Sequence, residues 1–165
     1  MSMSPRLGIV IVSYNTCQLT RDCLKSIRSS LDGSNLDLGT EIWVVDNNSQ
    51  DGSAEMVSRQ FPDVRLLASP ENLGFARGNN MAIRHMAQEA LSPEYVLLLN
   101  SDTLVHPEAI PRMISFMDDN EQVGIVGARL FYGDGSFQHS AFHFPNLWMT
   151  LFDFWPVHHK LLESR

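Results

Sequence analysis

Two acids stand where an apolar run stops: Asp46 closes "EIWVVD", and Asp102 follows "YVLLLNS". A third apolar run, "LGIVIVS", ends in Ser13-Tyr14-Asn15. A strand that finishes on an acid among small polar residues has two physical explanations. The acid either caps a turn by accepting backbone N–H groups, or it faces a ligand at the edge of a sheet. Asp46, beside Asn47 and Asn48, is able to accept a hydrogen bond from a base N–H. Asp102, beside Asn100 and Ser101, offers a hard oxygen donor to a divalent cation, and such a cation neutralises a diphosphate. The two are read as exposed acids on neighbouring strand ends. Arg77, in "GFARGNN", can meet a phosphate or carboxylate through two parallel contacts, and Gly74 and Gly78 let backbone approach closely. From the residues alone, this set describes a site for a nucleotide sugar or a related nucleotide.

The elements that must position these groups alternate in type. "LGIVIVS" is continuous and β-branched, as expected of a strand buried on both faces. "TCQLTRDCLKSIRSSL" places Leu24, Ile27 and Leu31 on one helical face, with Thr16 as its cap. "EIWVVD" is the second strand, a short helix starts through Asp51-Gly52-Ser53, and "VRLLAS" is the third strand. "PENLGFARGNN" turns into a helix carrying Met81, Ala82, Ile83, Met86 and Ala90. "YVLLLN" is the fourth strand, and the next helix opens at Pro107 and shows Ile110, Met113, Ile114 and Met117 at helical spacing. "VGIVGARLFY" is expected to be a fifth strand. This alternation predicts an α/β fold of three layers, α/β/α, around a mainly parallel sheet. Ligands of such sheets sit beyond the carboxyl ends of the strands, and three polar clusters fall there: 13–15, 46–49 and 100–102.

Composition narrows the functional class. The chain has 165 residues, 44% of them hydrophobic and 19% charged, with formal net charge −7. No basic stripe is present, which argues against a nucleic-acid partner. Cys17 and Cys23 make no plausible disulfide or metal knuckle, and two cysteines fit a reducing compartment. "MSMSPR" lacks the apolar core of a secretory signal, and no apolar run reaches the roughly 18 residues of a membrane-spanning helix. A cytoplasmic location is therefore expected. No glycine fingerprint follows the first strand, no phosphate loop of the G-x-x-x-x-G-K-[ST] type occurs, and no G-x-S-x-G elbow supplies a nucleophilic serine. Residues 1–145 are expected to form the ligand-binding domain, and the aromatic tail 146–165 to begin an acceptor-binding segment that the chain does not complete.

Four segments in order, "IVIVSYNTCQLTRDCLKSI", "EIWVVDNNSQDGS", "ENLGFARGNNMAI" and "YVLLLNSDT", resemble the inverting family 2 glycosyltransferases. That family has the A-type, nucleotide-diphospho-sugar transferase (GT-A) topology. "NLGFARGNN", "LLNSD" and "GARLFYGDGSFQHSAFHFP" look most like the rhamnosyltransferase branch, which makes bacterial cell-surface polysaccharides. The resemblance implies transfer of a sugar, rhamnose in that branch, from a dTDP- or UDP-sugar donor to a saccharide or lipid-linked acceptor, with inversion. A peripheral position at the inner face of the membrane is compatible with it, and the oligomeric state is left open.

Residue by residue, the resemblance makes Ser13, Tyr14 and Asn15 the donor-binding turn and Asp46 the acid that holds the base. Asn72 and Arg77 belong to the nucleotide-contacting helix entry. Ser101 lies within the D-x-D-like motif, whose last acid, Asp102, coordinates Mg²⁺ or Mn²⁺ on the diphosphate. The motif's first acid is replaced by Asn100. An inverting transferase also needs a carboxylate to take the acceptor's proton, and no residue here is assigned that role. Two other readings stay open: a non-catalytic nucleotide-sugar-binding domain, and a sugar nucleotidyltransferase.

Overall fold

The computed structural model describes residues 5–32, 39–88 and 92–140. The chain divides into two compact units, Met1–Val126 and Gly127–Arg165, a division that falls before the boundary expected at residue 145. The tail 146–165 lies outside the described residues.

The first unit is built on a four-stranded parallel sheet. Its strands are β1 (Leu7–Ser13), β2 (Thr40–Asp46), β3 (Arg65–Ala68) and β4 (Tyr95–Asn100), in the spatial order β3-β2-β1-β4. Between them run α1 (Cys17–Asp32), α2 (Ser53–Gln60) and α3 (Gly74–Gln88), and α4 (Ala109–Asp119) follows β4. β1 is one of the two inner strands and feeds both cores of the unit. Because side chains alternate across a strand, Leu7, Ile9 and Ile11 join one core with Leu24, Ile27, Val57 and Ile114, while Val10 joins a second with Trp43, Val45, Ala82 and Met86. Thus α1, α2 and α4 cover one face, and α3 covers β1 and β2 on the other. That is the expected three-layer arrangement. Gly8 marks how closely α3 seats: a Cβ there would stand 2.9 Å from Met86 Sδ and 3.0 Å from Pro93 Cγ.

Two boundaries differ from the sequence reading, and one expected residue lies outside the described ones. Helix α4 begins at Ala109, after Pro107, with Glu108 at the cap position and no side-chain cap bond. Ala90, expected in α3, lies outside the described residues. The larger correction is the fifth strand expected over Val123–Tyr132. Only Leu130–Phe131 is extended and paired, antiparallel to Phe137–Gln138, in a small hairpin of the second unit (β5 and β6). Val123–Arg129 forms no strand, and Ile125 is 91% exposed. An apolar run becomes a strand only where a ladder satisfies its backbone, and Gly124 and Gly127 weaken this one further. In the hairpin, the Arg129 guanidinium lies 5.0 Å from the ring centres of both Phe131 and Phe137.

Among the described residues of the first unit, β4 is packed on one face only. Leu97 and Leu99 pack on the first core, whereas Val96 and Leu98 are 44% and 45% exposed. Leu97→Ala should therefore cost about 2 kcal/mol, near the lower end for a buried leucine, and Leu98→Ala clearly less. Urea unfolding of the two variants checks this; equal losses would show that both faces of β4 are packed.

Candidate functional site

The sheet order fixes how the candidate residues meet. β1 lies between β2 and β4, so the ends of β2 and β4 are about 10 Å apart, two strand spacings. Asp46 and Asp102 are therefore not on neighbouring strands, as the sequence reading had them. Ser13 pairs in register with Asp46, and Val12 with Asn100. All three polar clusters still gather on one carboxyl edge, with the 13–15 turn in the middle.

Asp46 is buried, at 3% exposure, which corrects the expectation of an exposed acid. Its Oδ2 accepts a hydrogen bond from Ser49 N at 3.0 Å, while its Oδ1 is buried with no hydrogen-bond partner among the described residues. A buried carboxylate oxygen without a donor is costly. Asn47, also buried, donates from Nδ2 to Gly74 O at 3.3 Å, and its own Oδ1 has no partner among the described residues. Gly78 packs under it: a Cβ there would meet both Val12 Cγ atoms at 3.1 Å and Asn47 Oδ1 at 3.6 Å. Glycine in this helix lets α3 descend onto the sheet edge.

The turns after β1 and β2 are laced together. Asn15, with φ 52°, donates from its backbone N to Ser49 Oγ at 3.0 Å and accepts from Gln50 N at 2.8 Å. Asp51 accepts from Cys17 N at 2.8 Å, so the first N–H of α1 is capped by another turn. Thr16 holds the cap position through its carbonyl, which accepts from Thr20 N at 2.8 Å, but its hydroxyl turns inward. Desolvation pushes the Asp51 carboxyl up; hydrogen bonds from Ser53 Oγ, Cys17 N and Ser53 N outweigh it and hold the group below its usual range. Sequence reading missed Asp51 as a clamp, because its partner is 34 residues away.

The remaining candidates divide by exposure. Tyr14 is 49% exposed. Asn72 spends its side-chain oxygen on Gly74 N at 2.8 Å, which is turn chemistry at the entry to α3. Arg77 is exposed, in the first turn of α3; its Nε donates to Leu73 O at 3.0 Å, and it forms no ion pair among the described residues. Ser13 and Ser101 are buried; Ser13 meets the hydroxyls of Thr16 and Thr20, and Ser101 that of Thr16.

Asp102 lies exposed in the turn Asn100–Thr103, closed by Thr103 N donating to Asn100 O at 3.2 Å. Its carboxylate has no hydrogen bond or ion pair among the described residues. No cluster of three His, Cys, Asp or Glu that could hold a metal ion occurs among them. Asp102 thus presents a single hard oxygen donor, which suits Mg²⁺ or Mn²⁺, ions that take one or two carboxylates and complete their shell with phosphate oxygens and water.

Beneath this turn runs a seam of small polar side chains from α1. Thr16 donates to Ser101 Oγ at 3.1 Å, and Cys23 Sγ to Asn100 O at 3.6 Å. Ser26 Oγ accepts from Val105 N at 2.9 Å, and Ser30 Oγ donates to Pro107 O at 3.0 Å. Burial, with the negative charge of Asp102 adding to it, pushes the Cys23 thiol up to about 12 and keeps it a donor.

The sequence pattern of glycosyl transferase family 2 matches residues 8–160. The chain belongs to glycosyl transferase family 2. Within the family, it is 30% identical over 138 residues to an N-acetylglucosaminyl-diphospho-decaprenol L-rhamnosyltransferase of Mycobacterium tuberculosis, covering 74% of this chain and 45% of that one. A mannosyltransferase from Pyrobaculum calidifontis, solved in complex with GDP-mannose and Mn²⁺, superposes with TM-score 0.57 at 25% identity, over 72% of this chain and 34% of that one. TarS 1–349 of S. aureus, in complex with UDP-GlcNAc, gives TM-score 0.55 at 22% identity, over 70% and 32% of the two chains. The fold is that of the A-type glycosyltransferases, and this family 2 chain spans about half the length of the curated relatives it matches. No helix among the described residues is long and apolar enough to cross a membrane.

Loss of the Asp51 clamp should loosen the edge built from the β1 and β2 turns. Asp51→Ala is expected to lower stability by about 1 kcal/mol, the usual worth of a helix cap. The sign of its pH dependence follows from the depressed carboxyl: the contribution is complete above the ordinary value of 3.8 and is lost as pH falls through the lower folded value. Urea midpoints at pH 7 and pH 3 check it, the gap between wild type and variant being smaller at pH 3.

Proposed function

We propose that this chain binds the nucleoside diphosphate of a sugar donor, across the ends of β2, β1 and β4, for transfer of that sugar to a saccharide or lipid-linked acceptor. The observation that carries this reading is Asp46: a buried carboxylate at a sheet edge, one oxygen anchored by Ser49 N and the other without a donor among the described residues. A base N–H would supply the missing donor. Tyr14, the residue after the Ser13–Asp46 register pair, offers an exposed ring for the nucleoside, and Ser13 and Asn15 flank it in the turn after β1.

About 10 Å along the edge, Asp102 would hold Mg²⁺ or Mn²⁺ on the diphosphate. The ion, when bound, supplies positive charge to the leaving diphosphate. Arg77 adds a second positive charge from the start of α3, and Asn72 fixes the turn from which that helix departs. In a chain of net charge −7, these are the groups that make a diphosphate acceptable. The Mycobacterium relative supports a deoxysugar such as rhamnose and a lipid-linked acceptor, and the complexes of the two structural relatives support a nucleotide-sugar donor. Inversion of the anomeric centre follows the family resemblance. A cytoplasmic site at the inner membrane face is the setting in which such a donor and acceptor meet.

Calorimetric titration of UDP, dTDP and GDP, each with Mn²⁺ and with chelator, tests this. Asp46→Ala should weaken the preferred nucleotide by about 1 to 3 kcal/mol, typical of a charge-assisted bond. Asp102→Ala should abolish the gain from Mn²⁺ while leaving metal-free affinity unchanged, and Asn100→Asp should enlarge that gain. Equal wild-type binding in Mn²⁺ and in chelator would remove Asp102 as a metal ligand and leave it a turn residue.

A further inference from the structure

Ser13, Thr16 and Thr20 place three hydroxyls in mutual contact under the edge, at 3.1, 3.0 and 3.1 Å, and Thr16 also reaches Ser101 at 3.1 Å. Each hydroxyl has one proton to give. Since Thr16 spends its proton on Ser101, Ser13 and Thr20 have two protons for the three contacts among themselves and Thr16. The cluster is therefore polarised toward Ser101, whose own proton meets no acceptor among the described residues. Thr16 is itself held firmly, because its carbonyl starts the α1 ladder and its neighbour Cys17 is capped by Asp51. The Asn100–Thr103 turn is thus gripped from below at two successive residues, by Cys23 at Asn100 O and by Thr16 at Ser101 Oγ. The next residue, Asp102, is exposed and without a hydrogen bond among the described residues.

We propose that Thr16 is a positioning residue for metal-dependent donor binding: its hydroxyl orients Ser101 and so holds the backbone that presents Asp102. The inference rests on the reading of Asp102 as the metal ligand. A carboxylate on an anchored turn meets an ion with little further ordering, whereas one on a loose turn loses affinity to that ordering. Thr16 touches neither the ion nor the sugar. Its effect is confined to the component of nucleotide affinity that Mn²⁺ provides.

The test uses the whole chain, with Thr16→Val, which keeps shape and removes the hydroxyl, and Thr16→Ser, which restores it. The readout is the ratio of UDP dissociation constants in chelator and in Mn²⁺, measured by calorimetry. Thr16→Val should shrink that ratio by roughly three- to tenfold, one neutral hydrogen bond, with the constant in chelator unchanged, and Thr16→Ser should return it to wild type. A wild-type ratio in Thr16→Val overturns the proposal, as does an equal loss of affinity with and without Mn²⁺, which marks a general structural role. If Thr16→Val fails to fold, Ser101→Ala removes the other end of the same bond and should shrink the ratio alike; an unchanged ratio there overturns the proposal. Amide exchange at residues 101–103 of the ligand-free protein reads the anchoring separately. It should quicken in Thr16→Val, and unchanged exchange would overturn the positioning role even where the wild type gains from Mn²⁺. A wild type that gains nothing from Mn²⁺, with exchange still quickened, points to failure of the metal reading instead.

Discussion

The inner strand β1 has to end. It is buried on both faces along nearly its whole length, and its last residue, Ser13, carries a hydroxyl into the buried interior. A buried hydroxyl that finds no partner costs about 1 to 3 kcal/mol, so α1 must bring polar side chains to it. Thr16 and Thr20 do so, and the same face of α1 continues with Cys23, Ser26 and Ser30 along the connection from β4 to α4. A requirement of burial thus becomes a seam between α1 and the Asp102 turn. The apolar residues that hold the helix to the sheet, Leu24 and Ile27, interleave with that seam.

The carboxyl edge is organised by side chains that bond to distant backbone. Asn15, Ser49 and Asp51 tie two turns that lie far apart in sequence, and Asn47 ties β2 to the start of α3. Most of these bonds use the donors and acceptors that a turn or helix start leaves without partners. The turns are thereby fixed against each other before any ligand arrives, which lowers the ordering cost of binding. Against this bonded frame, the groups without hydrogen-bond partners among the described residues stand out: the buried Asp46 Oδ1, the exposed ring of Tyr14, most of the Arg77 guanidinium and the carboxylate of Asp102. In the proposed function these groups share one purpose, since base, ribose, diphosphate and cation would call for a buried acceptor, a flat ring, a positive charge and a hard oxygen in turn.

The strand–helix alternation, the parallel sheet and the carboxyl edge as the place of the polar clusters were determined by the sequence itself. Local physics suffices for that: β-branched runs in 7–13 and 41–46, helical spacing in α1 and α3, and turn residues between them each point to one conformation. Position in space was another matter. The run "VGIVGARLFY" has strand composition, yet only its end is extended, because a strand needs a partner edge that composition does not supply. Sequence placed Asp46 and Asp102 on adjacent strands as exposed acids; the order β3-β2-β1-β4 put β1 between them and buried Asp46. Ser13 and Ser101 read as donor-site residues in one dimension, and in three they are buried, with hydroxyls bonded to Thr16 and, for Ser13, Thr20. Thr16 looks like a helix cap, but Asp51 takes that bond and frees the threonine hydroxyl for Ser101. For Ser101, Thr16 and Asp51 the deciding bond joins residues separated by many positions, and only tertiary packing determines which of several chemically equivalent acceptors a donor meets.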